Sequence, residues 1–119
     1  MSNVTTARIL SIAALTLVFG MARPLAAAGQ DDAVKKGEQV YAAQKCQTCH
    51  SIAGKGKKQN PLDGVGKKLS ADEIKAWIVT PVEMTKKSGS TKKPPMPNRY
   101  SKLPAADIDA LVAYMVSLK

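Results

Sequence analysis

Two cysteines and a histidine within five residues constrain this chain more than any other feature of its sequence. The segment Cys46-Gln47-Thr48-Cys49-His50 contains both cysteines and the single histidine of the 119 residues. On a helix, positions i, i+3 and i+4 share one face, so the two thiols and the imidazole would project together. This spacing predicts that the fold is organised around one site at this segment.

The same spacing is the attachment sequence for c-type haem. In such a site, two thiols bond one edge of the porphyrin and the histidine is a ligand of the iron. We therefore expect one covalently bound haem c, attached through Cys46 and Cys49 and with His50 as an axial ligand.

Three other chemistries use the same residue types. A Cys-x-x-Cys redox pair of the thioredoxin type normally follows a strand in a βαβ unit, and no β-rich run precedes Cys46. A zinc site needs four ligands, or three and a water, so carboxylates or a second chain would have to contribute. A structural disulfide between Cys46 and Cys49 would leave His50 unexplained.

An export signal, rather than part of the fold, is predicted for residues 1–28. Arg8 precedes an apolar run from Ile9 to Met21, and small residues then supply an Ala-x-Ala cleavage site. We expect cleavage near Ala28, export to a bacterial periplasm and a single mature domain at 29–119. A retained membrane anchor is the alternative, although the apolar run is short for a bilayer span.

The chain is strongly basic, with 18 lysines and arginines against 9 acidic residues and a net charge of +9. Cleavage would remove Arg8 and Arg23 and no acidic residue, so the mature domain stays basic. The lysines that flank the segments expected around the haem are Lys45, Lys55, Lys57, Lys58, Lys67, Lys68, Lys86, Lys87, Lys92 and Lys93. They suit transient docking to acidic redox proteins or membrane respiratory complexes, with a generic solvated surface as the alternative.

Neither a nucleic-acid partner nor stable membrane insertion is expected, and we expect a monomer. The chain is predicted to be exported and has no aromatic-rich basic motif of the kind that binds nucleic acid.

The mature region predicts an all-α fold, because no segment shows sustained period-two alternation of apolar residues. Three helices are bounded by residues that favour helix ends: Asp31 or Asp32 at the start of the first, Ser70 and Glu73 at the start of the second with Pro81 after it, and Pro104 at the start of the last, which should end near Leu118. The two long connections, 51–69 and 81–103, are expected to wrap the haem.

The chain resembles the class I soluble monohaem cytochromes c over nearly the whole mature region. In that family the N-terminal and C-terminal helices cross at a small residue and an aromatic, and Gly37, Tyr41 and Tyr114 occupy the corresponding places here. The resemblance implies a small cytochrome c fold, in which the crossing helices and a middle helix surround one covalent haem. It also implies an electron carrier rather than an enzyme.

Two further residues beside the haem are implied by the same resemblance. Pro61 stands about a dozen residues after the histidine, where the family has a proline whose carbonyl accepts the other N–H of the imidazole and orients the ring. Trp77 matches a residue that bonds a haem propionate, and an ordinary core tryptophan is the alternative.

The sixth ligand of the iron has three candidates in the mature chain, Met84, Met96 and Met115. We expect Met96, because the prolines around it stiffen the backbone and reduce the entropy lost when the ligand is fixed. Its distance before the final helix also matches the family. Met115 lies on the apolar stripe of the last helix and is expected in the core, while Met84 stays an alternative.

If His50 and Met96 fill both axial positions, the iron can only exchange an electron. We therefore expect a periplasmic one-electron carrier that shuttles between respiratory or dehydrogenase partners. The alternative is a gas sensor or a peroxidase-like protein with an open or labile sixth position. That alternative lacks a second histidine for acid–base work on bound peroxide.

Overall fold

The computed structural model describes the backbone of residues 25–119 and the side chains from Gly29 onward. Its elements are α1 (Leu25–Ala43), a 3₁₀ turn (Cys46–Thr48), β1 (Ser51–Ile52), β2 (Lys55–Gly56), α2 (Val65–Lys68), α3 (Ala71–Val79), α4 (Pro81–Ser88), a 3₁₀ helix (Asn98–Lys102) and α5 (Ala105–Ser117). The prediction of an all-α fold is confirmed, since each of the two strands has only two residues.

The predicted export signal falls almost entirely outside the described residues. Only the backbone of its last four positions, 25–28, is described, as the beginning of α1. The signal and its cleavage site therefore stay predictions. Across the described helices, none combines the length and the apolar character that a membrane span requires.

Helix α1 begins at Leu25, so the prediction of a start near Asp31 or Asp32 is wrong. The run of leucine and alanine at 25–28 favours a helix, and no proline interrupts the chain from there to Ala43. The two carboxylates therefore lie inside the helix instead of capping it.

The start of α3 matches its prediction closely. The Ser70 hydroxyl accepts a hydrogen bond from the Glu73 backbone N–H at 3.2 Å, and the Glu73 carboxylate accepts one from the Ser70 N–H at 2.8 Å. These two bonds form a capping box, which satisfies two N–H groups that the first helical turn leaves unpaired. The helix ends at Val79, directly ahead of Thr80 and Pro81.

A helix that the sequence analysis missed, α4, starts at Pro81. Proline ends a preceding helix, but it is also favoured at the first position of the next one, where its missing N–H has no partner to lose. Gly89 ends α4 with a positive φ of 63°, and its N–H donates to the Lys86 carbonyl at 3.2 Å. The connection expected at 81–103 is therefore partly helical.

Two very short strands, β1 and β2, also went unpredicted. They pair antiparallel, with Ser51 opposite Gly56 and Ile52 opposite Lys55. Both residues between them, Ala53 and Gly54, have positive φ, which is the geometry of a tight two-residue hairpin turn. Two residues per strand are too few to show alternation in a sequence.

The crossing of α1 over α5 occurs at Gly37. A Cβ atom built on Gly37 would collide with the Ala110 carbonyl oxygen and would lie 2.6 Å from Tyr114 Cβ. One turn further on, the Tyr41 and Tyr114 rings meet edge to face with centroids 5.8 Å apart. Lys36 and Asp107 add an ion pair of 2.9 Å between the two helices. The crossing predicted at these residues is therefore present.

Helix α3 packs on the other side of α5 and completes the core. The buried core residues are Tyr41, Ile74, Ile78, Tyr100, Ile108, Leu111 and Met115. Lys75 on α3 forms a 2.8 Å ion pair with Asp109 on α5. At the end of α5, the Leu118 carbonyl accepts a hydrogen bond from the Gly66 N–H of α2 at 2.9 Å. Helix α5 is thus in contact with three other helices.

We expect Gly37→Ala to destabilise the protein by roughly 1–3 kcal/mol, because the added methyl group forces α1 and α5 apart. Chemical denaturation of the haem-loaded protein measures the loss. Gly29→Ala is the matched control on the same helix, since nothing lies within 4 Å of its added Cβ. Because Gly29 lies at the N-terminal end of the predicted mature domain, the control should leave the unfolding free energy unchanged. Equal effects of the two substitutions would contradict a close crossing at Gly37.

Candidate haem site

The five residues of the cysteine–histidine motif form a single helical turn. The Cys49 and His50 N–H groups both donate to the Cys46 carbonyl, at 3.1 and 3.0 Å. Lys45, just ahead of the turn, has a left-handed backbone with φ 55°, which redirects the chain after α1. Both cysteines are free thiols and both are partly buried. The turn therefore presents two thiols and an imidazole as the spacing predicts.

Two cavities of about 230 and 260 Å³ lie beside this turn. The residues that line both are Cys46, His50, Leu62, Met96 and Tyr100. The two cavities are therefore neighbours that share part of their lining. Cys49 borders the second cavity, so both thiols lie at this cavity.

The first cavity has almost entirely apolar walls, to which helices α1, α2, α3 and α5 all contribute. These walls include Val65 and Leu69 near α2, Ile74, Trp77 and Ile78 on α3, and Leu111 and Met115 on α5. Such walls suit a large apolar group rather than a charged substrate. The second cavity brings together two free thiols, the imidazole of His50 and the thioether of Met96, which match the donor set of a covalently attached haem. The residues present therefore fit this cofactor.

The imidazole of His50 is held by one hydrogen bond. Its Nδ1 lies 3.2 Å from the Asn60 carbonyl oxygen, and a carbonyl only accepts, so Nδ1 carries the proton. Burial lowers the pKa of His50, and the Asn60 bond opposes that effect only in part. The ring is therefore neutral at pH 7, and its Nε2 lone pair is available to a metal.

The acceptor of this bond corrects the prediction for Pro61. Ser51 and Pro61 form a parallel bridge, in which the Ser51 N–H donates to the Asn60 carbonyl at 3.3 Å and the Leu62 N–H donates to the Ser51 carbonyl at 2.8 Å. Successive carbonyls of an extended chain point in opposite directions. The Asn60 carbonyl therefore faces His50 and the Pro61 carbonyl does not, while Pro61 itself lines the second cavity.

Asn60 is a site residue that the sequence analysis missed. Its side-chain Nδ2 also donates to the Cys49 carbonyl at 3.1 Å, so one residue binds the motif at two points. A signal was present, because a residue ahead of proline is restricted to extended backbone, which fixes where its carbonyl points. Pro61 thus contributes by restraining its neighbour.

The thiol of Cys46 lacks the character of a redox nucleophile. Burial raises its pKa to about 11, and the nearby positive charge of Arg99 offsets only part of that rise. Thiol–disulfide proteins rely on the opposite shift, a thiolate stabilised near neutral pH. This environment disfavours the thioredoxin-type alternative.

The three methionines lie in different places. Met96 lines both cavities and is partly buried. Met115 is buried in the core and lines only the first cavity. Met84, on α4, is absent from the walls of both cavities in the described part of the chain. Met96 is therefore the methionine that, like His50, lines both cavities.

Trp77 and Tyr41 place aromatic rings that carry a hydrogen-bond donor on the wall of the first cavity. Trp77 lines the first cavity, and its predicted bond to a haem propionate stays a prediction. Tyr41 lines the same cavity, and its buried hydroxyl has no hydrogen-bond partner among the described residues. Burial raises the pKa of Tyr41 to about 12, so the phenol keeps its proton and can donate to a group within the cavity.

Comparison with known proteins supports the same cofactor, haem c, as the geometry of the site. The family model for cytochrome c matches residues 34–119. Cytochrome c-555 of Methylococcus capsulatus is 32% identical over 112 residues, which cover 93% of this chain and 82% of that protein. No solved structure matches the chain. With a motif turn, an apolar cavity and a family match that agree, the chain belongs to the cytochrome c family of electron carriers, which bind haem c covalently and are not enzymes.

Proposed function

We propose that this protein is a periplasmic one-electron carrier whose haem iron is bound by His50 and Met96. The observation that carries this proposal is that both side chains line both cavities, and that the two thiols border the second cavity. In this arrangement Cys46 and Cys49 form the thioether bonds that hold the porphyrin edge.

Bound haem c supplies an iron that takes up and releases one electron. The protein contributes ligands that keep their positions in both oxidation states. The Asn60 carbonyl orients the His50 ring through Nδ1, and a fixed ring orientation makes the iron-facing nitrogen a better donor. On the other ligand, Pro94, Pro95 and Pro97 restrict the backbone around Met96.

A thioether ligand and apolar surroundings favour the ferrous state. Methionine sulfur adds no charge, and the walls of the first cavity offer little solvation to the extra positive charge of ferric iron. Both effects raise the reduction potential relative to an exposed haem with two nitrogen ligands. A carrier that accepts electrons readily from membrane complexes or dehydrogenases needs such a potential.

We expect Met96→Ala to abolish the near-infrared absorption band that reports a bond between thioether sulfur and ferric haem iron. The haem itself should remain attached, because Cys46 and Cys49 are unchanged. Met84→Ala is the matched control, since it removes a partly buried methionine that borders neither cavity. The control should keep the band. A band that survives in Met96→Ala would rule out Met96 as the sixth ligand.

The surface around the site suits an acidic partner. All ten lysines predicted to flank the haem are exposed, and Lys92 also lines the second cavity. Lys92 donates to the Gln59 carbonyl at 3.2 Å, which places its positive charge between two loops that border this cavity. Clustered exposed cations accelerate encounter with anionic surfaces and bind them briefly.

Small redox probes of opposite charge test this part of the proposal. Electron exchange with hexacyanoferrate, an anion, should slow as ionic strength rises, because salt screens its attraction to the lysines. Exchange with hexaammineruthenium, a cation, should speed up under the same change. Identical salt dependence of the two rates would contradict an electropositive surface at the site of electron exchange.

A further inference from the structure

Arg99 is held in place by its neighbour on the 3₁₀ helix Asn98–Lys102. Its guanidinium carbon lies 4.9 Å from the centroid of the Tyr100 ring. Its Nη2 also donates to the Tyr100 hydroxyl at 2.8 Å. A stacked and hydrogen-bonded guanidinium samples fewer positions than an unattached lysine ammonium. Arg99 is therefore a positive charge with a defined location.

Tyr100 connects this charge to the site. Its side chain is 7% exposed, belongs to the core cluster and lines both cavities. Arg99 and Tyr100 follow Met96 closely in sequence, so the arginine lies on the segment that carries the proposed second ligand. The position of the guanidinium is fixed with respect to the cavity wall.

The positive charge of Arg99 also acts on the pKa of the Cys46 thiol. Among the groups that act on Cys46, Arg99 is the positive one, and it partly offsets the effect of burial on that thiol. Cys46 and Tyr100 are wall residues of the same two cavities. Arg99 itself is exposed, so water and salt weaken its field without removing it.

We propose that Arg99, held by Tyr100, places a fixed positive charge beside the cavity wall that Tyr100 forms and makes the haem easier to reduce. Ferric haem carries one more positive charge than ferrous haem, so a nearby cation disfavours the ferric state. The proposal rests on the proposed function, because it assumes haem attached through Cys46 and Cys49.

Three variants of the haem-loaded protein test the role of Arg99. At low ionic strength and a fixed solution potential, Arg99→Gln should lower the ratio of ferrous to ferric protein by about threefold. Arg99→Lys keeps the charge and should stay within about twofold of the parent ratio. Lys102→Gln is the matched control, because it removes an exposed cation from the same 3₁₀ helix and should change the ratio by less than twofold. Raising the salt concentration should shrink the effect of Arg99→Gln.

Equal shifts in Arg99→Gln and Lys102→Gln would overturn the proposal, since net charge alone would then explain both. Loss of the near-infrared thioether band in Arg99→Gln would also overturn it, because the arginine would then act by holding the Met96 segment. These failures differ from failure of the proposed function. A parent protein without attached haem or without that band contradicts the function itself, whatever the variants do.

Discussion

The close crossing of α1 and α5 at Gly37 is the contact on which the rest of the structure depends. Helix α1 leads directly into the motif turn, and α5 supplies Leu111 and Met115 to the wall of the first cavity. Because a Cβ at Gly37 would strike the Ala110 carbonyl, only glycine permits the observed separation of the two helices. The crossing therefore fixes α5, with its two wall residues, against the helix that precedes the motif turn.

The segment from β1 to α2 holds the imidazole of His50 in place. One carbonyl, that of Asn60, accepts hydrogen bonds from the Ser51 N–H and from His50 Nδ1. The Asn60 side chain adds a bond to the Cys49 carbonyl. A neutral ring with a defined tautomer follows from these contacts together with burial. The position of the His50 ring thus depends on a short extended segment as much as on the motif turn.

The sequence predicted the features that rest on local chemistry. The motif spacing and the capping box at Ser70 follow from the residue types themselves, whereas the crossing at Gly37 was predicted from the resemblance to the cytochromes c. The prediction from the sequence failed where one residue is compatible with two structures. Pro81, for example, follows the end of α3 and also begins α4. The acceptor of the His50 bond also depends on the bridge between Ser51 and Pro61. The proline after Asn60 signals extended backbone there, but not the segment with which it pairs. The contacts of Arg99 with Tyr100 were missed for a similar reason, because they depend on how Tyr100 is buried.

The most direct test of a closed, two-ligand iron site is the absorption spectrum of the reduced, exported protein before and after addition of carbon monoxide. Carbon monoxide binds ferrous haem only where a coordination position is free or easily freed. With His50 and Met96 both bound, the sharp low-spin spectrum should not change. A shift of the spectrum on addition of the gas would show an open or labile sixth position, and would contradict the account of the protein as a simple electron carrier.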